Sequence, residues 1–131
     1  MRSVIQQTVL LPASAHDLFE MYIDPALHAA ITGAPVTIDA VAGSSFQAFD
    51  GSLTGTILSV VAPRLIVQSW RSENFLPRDP DSTLFLTFGT YSGEGRIDLV
   101  HLDVPTQDFD GVRDGWRVYY WEPWRAYLGR R

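Results

Sequence analysis

The residues of this 131-residue chain whose types could do chemistry are three histidines, fifteen carboxylates and ten arginines. His101 stands out among them. It falls in the run from Arg96 to Val104, where strand alternation puts Ile97, Leu99, His101 and Asp103 on one face and Val100, Leu102 and Val104 on the other. An imidazole on an apolar face needs partners for both nitrogens or an altered protonation state. It can serve as a polar anchor inside a mostly apolar ligand cavity. It can equally be a structural histidine bonded to a backbone carbonyl, or to Tyr119 or Tyr120. His16 and His28 read as exposed helix residues, and the spacing of the three histidines makes no metal site.

The other candidates are weaker. Asp98 and Asp103 fall on opposite strand faces, so they make no close acid–base pair. Asp108, Asp110 and Asp114 crowd the first turns of a helix, where its dipole favours them, and they lack a calcium-loop pattern. Gly93-Glu94-Gly95 is a hairpin turn with no helix after it, hence no phosphate loop. Neither G-x-S-x-G nor H-E-x-x-H occurs. There is no cysteine, which excludes disulfides and thiolate chemistry, and no lysine, which excludes a Schiff base. A net charge of −5 argues against a nucleic-acid-binding face. Arg71 reads as solvated or salt-bridged, and Arg113 and Arg117, four apart, as a cationic strip. No apolar run approaches a membrane span, no signal peptide is visible, and a cytoplasmic protein is the expectation. No cofactor is implied.

The elements that must position these residues follow from periodicity. Val4 to Leu11 is β-rich. Ser14 caps a first short helix with Leu18, Phe19 and Tyr22 on its apolar face, and Asp24-Pro25 starts a second that ends at Gly33. From Val36 the period becomes two, with strands expected near 36–39, 44–50, 52–62, 64–73, 82–90 and 95–105. Turns fall at Asp50-Gly51 and Ala62-Pro63, and Asn74 to Asp81 is the longest irregular segment. A final helix from about Asp108 to Leu128 carries an aromatic stripe of Phe109, Val112, Trp116, Tyr120, Trp124 and Tyr127. Trp121 is expected on its exposed side. Pro123 should kink the helix or pull its last turns aside.

Thr32-Gly33-Ala34-Pro35, Phe49-Asp50-Gly51 with Thr54-Gly55, Pro63 to Trp70-Arg71, and Gly115-Trp116-Arg117-Val118-Tyr119-Tyr120 together resemble the START-like (SRPBCC) superfamily. The resemblance is to the C-terminal domain of the activator of heat-shock protein 90 ATPase, in order along nearly the whole chain. It implies an α+β helix-grip fold over residues 1–131 as a single domain. A curved antiparallel sheet of about seven strands would carry two short helices after the first strand and a long C-terminal helix. The stand-alone form of the family is expected.

Three functions follow as expectations. The first is a non-enzymatic domain holding a small hydrophobic or amphipathic molecule between helix and sheet. Its contacts would be His101, Trp70, Phe88, Leu86, Leu99, Trp116, Tyr120, Trp124, Phe46 and Phe19, and Trp116→Ala should weaken binding more than stability. The second, implied by the resemblance, is a co-chaperone-like domain binding a heat-shock protein 90-type chaperone through the 74–81 loop, Arg113, Arg117 and Trp121. The third is an enzyme, since helix-grip relatives include cyclases and hydrolases; without a nucleophile–base pair or metal site it has the least support.

Overall fold

Ser14 accepts a hydrogen bond from the Asp17 amide at 3.0 Å and so starts the first helix; Asp24 does the same for the Leu27 amide and starts the second. Asp24 also closes the first helix, its own amide donating to the Glu20 carbonyl, and Gly33 ends the second with φ 80°. In the computed structural model, which describes residues 2–131, these helices are α1 (Ala15–Ile23) and α2 (Pro25–Thr32). They follow β1 (Arg2–Leu11) and precede β2 (Ser45–Ala48), β3 (Leu53–Val61), β4 (Leu65–Ser72), β5 (Ser82–Tyr91) and β6 (Glu94–Pro105). The six strands form one antiparallel sheet in the order β1-β6-β5-β4-β3-β2.

Six strands replace the expected seven. The 36–39 run makes a single bridge, Thr37 to Gln47, because β2 is only four residues long and the backbones of Gly43 and Ser44 engage Ile57. A second correction concerns β6. Asp103 adopts φ 63° at an irregularity in the β1–β6 register, so the alternation slips by one residue. Asp103 turns to solvent, and Val104, expected outside, is fully buried.

One face of the sheet is mostly apolar: Ile57, Ile66, Trp70, Leu84, Leu86, Phe88, Ile97 and Leu99 are buried beneath the helices, with the polar Gln68, Ser82 and His101 buried among them. Gly55 lies where β3 comes against β4, and a Cβ there would fall on the Ser69 carbonyl oxygen. Backbone on backbone cannot yield locally. Gly55→Ala is therefore expected to lower stability by about 3 kcal/mol. Urea denaturation reads this directly, and a change below about 0.5 kcal/mol would contradict it.

The C-terminal helix is continuous but not uniform. A 3₁₀ turn (Thr106–Asp108) leads into α3 (Phe109–Gly115), then a π-helical stretch (Trp116–Trp121), then α4 (Glu122–Arg130). Pro123 has no amide to bond the carbonyl four residues back, and its ring would press on that carbonyl. The widened turn sits just upstream, with the Glu122 amide reaching five residues back to Arg117. The extra residue in that turn brings Trp121 inward. It is 8% exposed, correcting the expectation of a surface tryptophan, and its Nε1 donates to Gln7 Oε1 at 2.7 Å.

Candidate functional site

Where α3 and the π stretch cross the ends of β3 and β4, a cleft of about 470 Å³ opens. Trp70 at the end of β4 and Trp116 and Tyr120 from the helix form its inner wall; Phe49, Leu53, Val112 and Tyr119 continue it outward. Ser52, Ser72, Glu73, Asn74 and Asp108 supply the polar rim. The Trp116 and Tyr120 rings lie 4.8 Å apart, and Phe49 meets Tyr119 and Tyr120 edge-on at 5.6 and 5.9 Å. Phe49 reaches them because the β2–β3 turn holds it at φ 52° and Asp50 at φ 57°, a conformation that bulky residues rarely adopt.

Behind this wall runs a buried hydrogen-bonded chain that fixes it. Trp116 Nε1–H donates to His101 Nδ1 at 3.2 Å, His101 Nε2–H donates to Ser82 Oγ at 2.8 Å, and the Ser82 hydroxyl donates to the Trp70 carbonyl at 2.6 Å. Since an indole only donates, the imidazole must carry its proton on Nε2. The chain straps the helix across β6, β5 and β4. Both nitrogens of His101 are engaged, its partners are Trp116 and Ser82 rather than a carbonyl or a tyrosine, and it does not line the cleft. Burial pulls its pKa down from the ordinary histidine value to about 3.

His28 corrects the expectation of an exposed residue, being 1% exposed. Its Nδ1–H donates to the Tyr22 carbonyl and its Nε2 accepts from the Tyr120 hydroxyl, both at 2.8 Å, so it holds the opposite tautomer to His101. Burial again pulls the pKa down, to about 4, against the bond to the Tyr22 carbonyl. Tyr22 donates in turn to Gln68 Oε1 at 2.6 Å, and burial holds both tyrosine hydroxyls well above their usual range. Only the aromatic pattern of the last helix could have signalled this network in advance. A histidine on α2 four residues from its N-cap carries no sequence mark of burial.

Of the ten residues expected around a ligand, Trp70, Trp116 and Tyr120 line the cleft together. Phe19, Phe46, Leu86, Phe88, Leu99, Trp124 and His101 pack in the core behind it. Phe49, Tyr119 and Val112 also line the cleft, though none is among the ten residues expected around a ligand.

Two buried polar atoms of cleft residues have no hydrogen-bond partner among the described residues: Trp70 Nε1 and Asp108 Oδ2. Asp108 occupies the N-cap position of α3 yet makes no side-chain cap bond. It is 8% exposed, and burial raises its carboxyl above the ordinary aspartate value, against hydrogen bonds from Ser72 and Asn74. Asp108 thus keeps the helix-start position expected beside Asp110 and Asp114, but is buried at the cleft.

The three arginines that the sequence singles out are tied down. Arg71 donates to the Asp79 and Leu76 carbonyls, each at 2.7 Å, and pairs with Asp81, so it organises the 74–81 loop. Arg113 pairs with Asp110 and Asp114, and Arg117 with Glu122. Among the described residues no group of three histidine or carboxylate side chains is placed to hold a metal ion. Among the described residues no helix is long and apolar enough to cross a membrane.

A family model described as "Activator of Hsp90 ATPase homolog 1-like protein" matches residues 12–129. The chain belongs to this family. Activator of 90 kDa heat shock protein ATPase homolog 1 of Homo sapiens is 30% identical over 109 residues, which is 83% of this chain and 32% of the human protein. An uncharacterised Schizosaccharomyces pombe protein is 26% identical over 125 residues, 95% of this chain and 37% of its own. The chain thus spans about a third of the length of the curated relatives it matches. In structure, an HSP90 activator from Plasmodium falciparum superposes with a TM-score of 0.88 at 20% identity, over 96% of both chains. The Aha1 dimer from Colwellia psychrerythraea gives 0.76 at 13% identity, over 89% of this chain and 90% of that one. At these identities the likeness is one of fold alone, an antiparallel sheet with two short helices after its first strand and a long C-terminal helix.

Proposed function

We propose that this member of the activator family is a non-catalytic domain, one unit over 1–131, that binds a small hydrophobic or amphipathic molecule in the cleft between sheet and C-terminal helix. One observation carries the reading: an aromatic-walled cleft of about 470 Å³ whose residues Trp70 and Asp108 each bury a polar atom without a partner. A buried N–H or carboxylate oxygen left unpaired costs about 1–3 kcal/mol, which a ligand supplying the missing partner recovers. The volume lies within the usual range for small-molecule sites. Trp70, Trp116, Tyr120 and Phe49 would contact the molecule, and the buried Phe19, Phe46, Leu86, Phe88, Leu99, Trp124 and His101 would hold those walls in place.

Family membership favours a second reading, a co-chaperone-like domain that docks on a heat-shock protein 90-type chaperone. Tyr119 and Val118, 57% and 42% exposed, offer apolar surface beside the cleft mouth. Among the described residues no metal-holding set supports a cyclase or hydrolase. The expected compartment is the cytoplasm.

Native mass spectrometry of the protein purified gently from its own host separates the first two readings. A reproducible small added mass, lost on unfolding, is the expected result. A clean apo mass with a co-purifying chaperone whose ATPase the domain stimulates would overturn it in favour of docking.

A further inference from the structure

We propose that the cleft selects an organic cation, a small molecule with an aromatic or aliphatic body and an ammonium head, which presupposes the ligand-binding reading above. The ammonium would donate to Asp108 while the body lies against Trp70, Trp116 and Tyr120.

The charge pattern comes first. Among the described residues the cleft is lined by two carboxylates, Asp108 and Glu73, and by no arginine or histidine, although the chain has ten arginines. The arginines within two residues of a cleft residue along the chain are engaged elsewhere: Arg71 in the 74–81 loop, Arg113 with Asp110 and Asp114, and Arg117 with Glu122. A ligand carboxylate or phosphate would therefore enter a site that offers it two like charges and no counter-ion. Repulsion across a short, partly dry gap disfavours that strongly.

The second observation is independent of the first. Asp108 stands at a helix N-cap, where aspartate normally accepts from a backbone amide, and makes no such bond. Its carboxyl takes hydrogen bonds from Ser72 and Asn74, yet Oδ2 is buried and without a partner among the described residues. An acceptor-only atom in that state calls for a donor, and a charged donor serves best because it also neutralises the carboxylate. The aromatic wall fits the same ligand. The Trp70 and Trp116 ring centroids lie 6.3 Å apart and those of Trp116 and Tyr120 4.8 Å, and ring faces attract cations.

The test is a matched head-group series measured by isothermal titration calorimetry on the full chain at neutral pH: 4-phenylbutylamine, 4-phenylbutan-1-ol and 5-phenylpentanoate. The amine should bind at least about ten-fold tighter than the alcohol, and the acid most weakly. Asp108→Asn, which keeps the shape and removes the charge, should weaken the amine about ten-fold while leaving the alcohol within about two-fold. Glu73→Gln, on the exposed rim, should weaken it less than about three-fold, an effect that salt erases. Equal affinities for the three compounds, or preference for the acid, would overturn the charge selection and leave a ligand cleft standing. No binding by any of them would overturn both. The wild-type series decides the point even if Asp108→Asn fails to fold.

Discussion

Acidification from pH 7 to pH 4 is expected to remove about 6 kcal/mol of folding stability, a large part of what a domain of this size possesses. The cause is the pair His28 and His101. Each is neutral in the folded protein with a pKa lowered by burial, to about 4 and about 3, against 6.5 for the free side chain. Above 6.5 neither state binds the proton and the full stability is present. Below it the unfolded chain takes up two protons that the folded chain refuses, so stability falls by about 1.4 kcal/mol per pH unit for each histidine. The loss continues until pH passes the folded values. Asp108 opposes it weakly, since its raised pKa favours the folded state towards low pH. Urea denaturation at several pH values between 7 and 4 measures the slope. Long-range ¹H–¹⁵N spectra should show opposite neutral tautomers for the two rings, Nδ1–H for His28 and Nε2–H for His101. Titration of either ring near pH 6.5 in the folded protein would refute the account.

Trp116→Ala should destabilise the protein by about 4 kcal/mol. The side chain is 3% exposed, packs against Trp70, Tyr120 and Trp121, and is among the described residues the one donor to His101 Nδ1. Truncation leaves both a cavity and an unpaired nitrogen. Stability, more than ligand affinity, should thus register the change, reversing what the sequence alone suggests for this substitution. Trp116→Phe separates the two contributions, because it keeps much of the bulk and removes only the N–H; about 1–2 kcal/mol is expected. It should also blur the tautomer preference of His101 in the same ¹H–¹⁵N spectra. A Trp116→Ala protein within about 1 kcal/mol of wild type would show that the strap from helix to sheet carries little.

Much of the fold was legible because its signals are local. Ser14, Asp24 and Gly33 are caps whose chemistry acts within four residues, and Leu84, Leu86 and Phe88 sit on the buried face as period two requires. The misses share a different origin. Alternation alone puts Asp103 inside, but a single left-handed residue makes a bulge that turns it out. Nothing local marks His28 as buried, since its burial depends on Tyr120, 92 residues later. A regular helical period puts Trp121 outside, and the π turn brings it in. The site divides in the same way. The wall of Trp70, Trp116 and Tyr120 follows from strand and helix patterns, whereas Phe49 and Asp108 gain their positions from a strained turn and a cap that does not cap.

The widened turn at Trp116–Trp121 also bears on ancestry. A helix pinned at both ends by packing cannot lengthen when a residue is inserted; it stores the newcomer as a local loosening. That segment is where a relative with a plain α-helix would be one residue shorter. A gapless alignment of the two would then pair every position beyond it with the wrong neighbour, setting Trp121 and Trp124 against residues that never occupied their places.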